Sequence, residues 1–395
     1  MNQRELFLRH VGQTSDAPLA LEMVRASGCS MWDSQGKEYL DLISGISVCN
    51  VGHGNSQVIE AVKHQAETYM HLMVYGELVE SPQVRYAERL AQNLPAGLQS
   101  VYFTNSGTEA TEGAMKLAKR ITGRTNIIAF KDSYHGSTQG ALSVMGSEYW
   151  RNAFRPLLPG VIHLDHNVPE QLMAIDHQTA CVIAEPVQAE RGVKKPSLDW
   201  MKKLRQRCDE TGALLILDEI QTGMGRTGTL FAFEQFGIEP DILLLGKALG
   251  GGMPLGAFIA STERMNALTV NPVLGHITTF GGHPVCCAAG LAAFDFLVGQ
   301  ELISQVNTKA ELFEERLKHP LIKEFRSAGL LMAIELESWD VNKRIIDACI
   351  ARGVFTDWFL FASNCMRIAP PLIISTAEIN KACDVILEVC DEIRN

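Results

Sequence analysis

Five uninterrupted apolar runs limit what this chain can fold into more than any other feature: SVYFT (100–104), NIIAF (126–130), ACVIA (180–184), ALLIL (213–217) and DILLL (241–245). A strand with one wet face alternates polar and apolar residues. A run that is apolar at every position has both faces covered, as in parallel strands joined by crossover helices. Helix-patterned sequence separates the runs, so the expected class is α/β with a mainly parallel central sheet, in a large domain over residues 51–290. The flanks differ in texture. CSMW and EYLDL enclose the turn residues Asp33, Ser34, Gln35 and Gly36, which reads as a hairpin. Beyond residue 290 the order reads helix, strand (LLMAIEL), helix, strand (CMRIA), helix. The last helix opens on Ser375 with Glu378 three residues on, a capping box, and then places Ile379, Ala382, Ile386, Val389 and Ile393 on one face. A smaller α/β domain is expected from residues 291–395 together with the N-terminal segment 1–50.

Composition removes several function classes. With 395 residues, 46% hydrophobic and 20% charged, the chain can build a large core. A net charge of -10 and no basic stripe argue against a nucleic-acid partner. Ten cysteines without a CxxC spacing, two of them adjacent at Cys286 and Cys287, suit reduced core thiols better than disulfides or zinc. His163 and His166 have nothing nearby to complete a ligand set, so no metal is expected. The opening MNQRELFLRHVG is charged and lacks the apolar stretch of a secretory signal, which makes the cytoplasm the plain expectation. Residues 242–261 are apolar enough to notice, yet Lys247 and five glycines interrupt them; no membrane span is expected, and the stretch reads as strand, loop and strand.

In an open parallel sheet the ligand lies outside the carboxyl ends of the strands. The residues just after each run are therefore the ones to collect: Asn105, Ser106, Gly107 and Thr108; Tyr134, His135 and Gly136; Glu185; Asp218, Ile220 and Gln221; and Lys247. NSGTEATEGAMKLAKR offers free N–H groups at a helix start and could seat a phosphate, or could be a plain N-cap with Glu109 and Glu112 in its first turns. Gly223, Gly225 and Gly228 match GxGxxG, but the TLFAFEQFG that follows does not open a helix clearly, and Asp241 begins the next strand where a dinucleotide site needs an acid at a strand end. Asp218 alone could be a structural hydrogen-bonder, and Lys247 alone a rim residue. Together with an anion seat on the same rim they form the set that pyridoxal phosphate requires. An exposed lysine at pH 7 is free amine only about four parts in ten thousand, so a nucleophilic one must be desolvated or held as an imine. Asp218 would keep a proton on the pyridine nitrogen, an attraction of about 4 kcal/mol at 4 Å and an effective dielectric near 20. Glycines 250–252 would give Lys247 a flexible loop.

Over essentially its whole length the chain resembles the class III aminotransferases of pyridoxal-phosphate fold type I, the family of ornithine, acetylornithine and 4-aminobutyrate aminotransferases. The resemblance is carried by NSGTEATEGAMKLAKR, SYHGSTQGALS, EPVQAERGV, LDEIQTGMGRTG, GKALGGGMPLG, TTFGGHP and MRIAPPL in combination. It implies that Lys247 forms the imine with the cofactor and moves the proton, and that Asp218 pairs with the pyridine nitrogen. Gln221 would reach the ring hydroxyl, Ile220 and Tyr134 would sandwich the ring, and Ser106, Gly107 and Thr108 would seat the phosphate, with His135 and Glu185 on the same rim. Thr279 in TTFGG would reach the phosphate of a second subunit, implying a homodimer with shared active sites. Arg367 would clamp a substrate carboxylate through its planar fork, and Glu190 would pair with Arg367 and mask it in turn.

Two departures bear on the donor. Relatives acting on ornithine or acetylornithine carry HGRT, whose arginine binds the donor carboxylate; here the residues are His135, Gly136, Ser137 and Thr138. Ile46 stands where ornithine aminotransferases have a tyrosine. Ser137 suits an ω-amino acid or amine donor at least as well as acetylornithine. The expectation is transfer of an amino group from such a donor to a 2-oxo acid, 2-oxoglutarate above all, with an aminomutase or decarboxylase on the same fold as the alternative.

Overall fold

Each of the five apolar runs is a strand of one seven-stranded sheet in the computed structural model, which describes residues 2–75 and 77–394. In chain order the strands are β1 (Ser100–Thr104), β2 (Asn126–Phe130), β3 (Val161–Leu164), β4 (Thr179–Ala184), β5 (Leu214–Asp218), β6 (Ile242–Leu245) and β7 (Gly256–Ala260). They lie side by side as β1-β7-β6-β5-β4-β2-β3. Why the runs are apolar throughout is visible in the packing. Ile128, Phe130, Val182, Ala184, Leu215, Leu217, Leu243 and Leu245 enter the core on one face. Their neighbours Ile127, Ala129, Cys181, Ile183, Ile216 and Leu244 enter a second core on the other. Alternate side chains point to opposite faces, and both faces are dry.

Strands β2 to β6 run parallel, whereas β7 is antiparallel to both β6 and β1. Apolar pattern alone did not give its direction. A parallel return needs a crossover of a dozen or more residues, and only 246–255 lie between β6 and β7. The edge strand β3, half-exposed and broken by His163, carries too weak a pattern to be read in advance.

The hairpin near the N-terminus forms as Ser30–Asp33 against Glu38–Asp41, preceded by Met23–Ser27. Val354–Phe355, more than three hundred residues later, pairs parallel with Leu40 and Asp41 and completes this sheet. A third, antiparallel sheet contains Glu324–Ala328, Leu331–Glu335, Ala362–Ile368 and Trp358–Phe359. The helix Thr376–Arg394 has its capping box: Ser375 N donates to Glu378 Oε2 at 2.8 Å and Glu378 N to Ser375 Oγ at 3.3 Å. Ile379, Ala382, Ile386 and Val389 are its buried face. Among the described residues no single helix is long and apolar enough to cross a membrane.

The GxGxxG run is a tight turn, and the next element is the short 3-10 segment Ala232–Phe236. Gly225 and Gly228 take φ of 84° and 90°. What the turn presents is Arg226, fully buried, whose guanidinium donates to Leu330 O, Pro370 O, Ser44 Oγ and Asn50 Oδ1. One side chain thereby ties the large sheet's loop to segments from both ends of the chain.

Candidate active site

At the carboxyl ends of β4, β5 and β6 lies a cavity of about 480 Å³, lined among others by Tyr134, Glu190, Asp218, Ile220, Gln221 and Lys247. Gly107, Thr108, His135, Ser137 and Glu185 complete the part of its wall anticipated from the sequence. Residues up to 140 positions apart meet here because each follows a parallel strand.

The helix Gly107–Thr122 starts at the cavity, capped by Ser106, whose side chain accepts from Glu109 N. Its first-turn N–H groups have no partner within the helix, as any first turn must. Ser106 itself stays out of the cavity wall. A side chain at Gly107 would force Ile220 to move, since a Cβ there would sit 2.7 Å from Ile220 Cδ1. Gly136, at φ 126°, has the same constraint against Thr108, with a Cβ only 2.9 Å from its Cα. Glu112 holds the Tyr134–Thr138 loop against the helix, accepting from Thr138 Oγ1, Gly140 N and Ala141 N at 2.6, 2.9 and 3.1 Å. This positioning role was not read from the sequence, where Glu112 looked like an ordinary acid in the helix's first turns.

Asp218, at the tip of β5 and 4% exposed, accepts from Ile220 N at 3.0 Å and lies 2.7 Å from His135 Nδ1. Glu185 accepts from Tyr134 N and Ala189 N, and burial raises its carboxyl to about 7 against the pull of His135. Lys247 takes φ 47°, a left-handed conformation costly for a side chain, as do several other non-glycine residues of the chain. Its Nζ donates to Gln221 Oε1 at 2.7 Å. Burial pulls the ammonium below its ordinary pKa, with Glu190 and Asp218 opposing. The flexible loop expected from Gly250–Gly252 is corrected by the packing: a Cβ on Gly251 would come within 2.8 Å of Ala289 O and Ala293 Cβ. Gly251 permits close approach of the helix Pro284–Gly299, and Gly250 packs on Leu255, whereas Gly252 faces open space.

Arg367, 2% exposed on the strand Ala362–Ile368, stands behind Glu190. Its Nη1 and Nη2 donate to Glu190 Oε1 and Oε2 at 2.9 and 3.0 Å. Burial would raise the Glu190 carboxyl, but Arg367 and the Leu360 N–H outweigh it and hold it below the ordinary range. Asp357, which the sequence did not single out, lies 2.9 Å from Arg367 Nε. Only its place one β-turn before CMRIAPPL could have drawn notice. Ile46, at φ 64° and 36% exposed, does not line the cavity. Thr279 lies elsewhere, on a separate apolar cavity with Leu72, Met73, Leu274 and Ile277.

These residues suit a phosphorylated pyridine aldehyde on three counts. A lysine amine of lowered pKa opens onto the cavity, a buried carboxylate shares its floor, and glycine-permitted N–H groups stand at one end. His135 Nε2 is also buried without a partner. Among the described residues no group of three metal-binding side chains occurs.

Comparison with known proteins agrees with this chemistry. The family model for "Aminotransferase class-III" matches residues 11–390. Acetylornithine aminotransferase of Methanopyrus kandleri is 40% identical, over 100% of this chain and 99% of its own. The solved ornithine aminotransferase of Toxoplasma gondii, with pyridoxal phosphate at partial occupancy in its active site, superposes with a TM-score of 0.92 at 30% identity, covering 99% of this chain and 93% of that one. An (S)-enantioselective omega-transaminase from Thermomicrobium roseum gives 0.91 at 29% identity, over 100% and 99%. A desolvated lysine facing a strand-tip aspartate, in a chain that matches these enzymes from end to end, belongs to the class III aminotransferases and works with pyridoxal phosphate on an amine donor and a 2-oxo acid.

Proposed function

We propose that this enzyme moves the amino group of an ω-amino acid or simple amine to 2-oxoglutarate, with Lys247 as proton carrier and Arg367 as carboxylate clamp. The observation that carries the donor half of this reading is Ser137. Among the described residues no arginine lines the cavity, so a donor carboxylate finds no guanidinium beside the Tyr134 loop. A charge-assisted hydrogen bond is worth about 1.5–3 kcal/mol, enough to set the donor class. The relatives named acetylornithine aminotransferase favour acetylornithine as the second reading.

Gly107 and Thr108, in a helix start capped by Ser106, would hold the cofactor phosphate, Tyr134 and Ile220 the two faces of the ring, Gln221 its hydroxyl, and Asp218 its nitrogen. When bound, the cofactor supplies the electron sink for a breaking C–H bond. The rest falls to the chain. Lys247 Nζ takes the proton from the donor carbon, a task its lowered pKa suits. His135 steadies the Asp218 carboxylate, and Glu185 fixes the backbone of Tyr134. With Glu190 paired to it, Arg367 is masked while the donor amine is bound; when Glu190 withdraws, the freed fork receives the carboxylate of 2-oxoglutarate.

We infer a homodimer as the working unit. Leu72, Met73, Val273, Leu274, Ile277 and Phe280 are 41–72% exposed around the cavity that holds Thr279, an apolar patch that a second copy would cover. Thr279 would then reach the phosphate held by that copy. Residues 51–290 form the cofactor-binding domain in this reading, with 1–50 and 291–395 as the smaller one. A donor screen that follows glutamate formed from 2-oxoglutarate tests the proposal. Release with ω-amino acids or amines exceeding that with acetylornithine supports it; the reverse order hands the donor site to acetylornithine.

A further inference from the structure

Arg367 is held by two carboxylates from different parts of the chain, and only one of them stands on the cavity wall. Glu190 approaches from the cavity side and takes both terminal nitrogens, at 2.9 and 3.0 Å. Asp357 sits on the other side, its Oδ1 2.9 Å from Nε. Trp358 O accepts from Nη2 at 2.9 Å, and the Phe359 ring lies 4.5 Å from the guanidinium carbon. Asp357 is also fixed through the backbone, since Arg367 N donates to Asp357 O at 2.9 Å and Thr356 Oγ1 donates to Arg367 O at 2.6 Å. Its side chain is 22% exposed and Arg367's 3%.

We propose that Asp357 is a positioning residue that keeps the Arg367 fork aimed into the cavity while Glu190 comes and goes. This rests on Arg367 being the carboxylate clamp. For Glu190 to uncover the fork, the pair must separate, and an arginine held only by Glu190 would follow it as an intact ion pair. A second anion at Nε removes that freedom. It stands against the one nitrogen that neither Glu190 nor a bidentate substrate carboxylate uses, as a close ion pair whose alignment falls short of a hydrogen bond. It also leaves the opened site as a neutral Arg–Asp pair, avoiding a lone buried cation, so opening is less costly. Glu190 and an incoming carboxylate gain equally from the guanidinium's charge, and what Asp357 favours is the geometry that only the substrate needs.

The two half-reactions of the holoenzyme separate these effects when each is followed through the cofactor's absorbance. With Asp357→Ala, the KM for 2-oxoglutarate in the second half-reaction is expected to rise at least tenfold, roughly the loss of one charge-assisted bond's alignment. The donor half-reaction should keep its rate and KM. Asp357→Asn retains an acceptor oxygen and should recover part of the loss. Calorimetric binding of glutarate, a dicarboxylate that cannot react, should weaken in parallel. Equal losses in both half-reactions, or an unchanged KM and glutarate affinity in both variants, would overturn the proposal. Arg367→Gln run alongside keeps the two readings apart: if it raises the KM and Asp357→Ala does not, only the positioning role falls, and if neither does, the clamp falls as well.

Discussion

Replacing Glu190 by glutamine tests the mask on Arg367 directly. Glutamine keeps one acceptor oxygen and places an NH₂ where Glu190 Oε2 now receives Arg367 Nη2 at 3.0 Å and Leu360 N at 3.1 Å. One charge-assisted hydrogen bond is lost outright, and the other, 2.9 Å at Nη1, keeps its cationic donor but loses the anionic acceptor. The closed state therefore loses about 1.5–3 kcal/mol. Because Asp357 remains 2.9 Å from Nε, the guanidinium is not orphaned. The stability cost should stay below the roughly 3–5 kcal/mol that stripping a buried charge of its partner costs. What the closed state loses, an incoming carboxylate no longer has to overcome. The affinity for 2-oxoglutarate should then rise about 10- to 150-fold. The assay is a single-turnover titration of the amino form of the enzyme with 2-oxoglutarate, followed through the cofactor's absorbance, beside a melting curve. An unchanged or higher KM would refute the masking argument, because it would mean that Glu190 does not compete with the substrate for Arg367.

Further expectations follow from other sites. Arg226→Met leaves the acceptors Leu330 O, Pro370 O, Ser44 Oγ and Asn50 Oδ1 without their donor, and should lower stability by about 3 kcal/mol or more; a variant that melts with the parent protein refutes the tie. Ser137→Arg should raise kcat/KM for acetylornithine about 10- to 150-fold relative to a simple amine, and no change in that ratio would detach donor choice from this position. Gly107→Ala drives a Cβ to 2.7 Å from Ile220 Cδ1 and should weaken cofactor retention by about 1–3 kcal/mol, read as cofactor dissociation on dilution; full retention would show that Ile220 yields freely. Glu219, buried beside Ala232 N and Phe233 N, has its carboxyl raised from 4.5 to about 7 by burial. The folded state holds a proton that the unfolded chain releases, so this contribution to stability is full below about pH 4.5 and is lost as pH rises through 7. Glu219→Gln, which stays neutral, should gain on the parent protein by up to about 3 kcal/mol between pH 5 and 8, and a pH-independent melting difference would refute it.

Much of the site was legible because each residue follows a strand that periodicity identifies. Lys247 after ILLL, Asp218 at the end of LLILD, and Gly107 after SVYFT could be gathered on one rim before any coordinates, since a parallel sheet brings its carboxyl ends together. Asp357 could not. Its contact with Arg367 depends on how Trp358–Phe359 folds back on Ala362–Ile368, and nothing local in TDWF announces a partner. Glu112 was hidden for a related reason: an acid near a helix start looks the same whether or not it also receives N–H groups from a loop 28 residues on.

Sequence alone determined the α/β class, the strand-tip placement of Lys247 and Asp218, and the helix starts and caps, because these follow from short-range rules of period, burial and hydrogen bonding. Tertiary structure decided the antiparallel return of β7 and the close packing of Gly251 under a helix. It also decided the tie through Arg226 and the second anion behind Arg367. All four depend on which distant surfaces come into contact, where a difference of one ångström separates a packed glycine from a clash and a paired charge from an orphan.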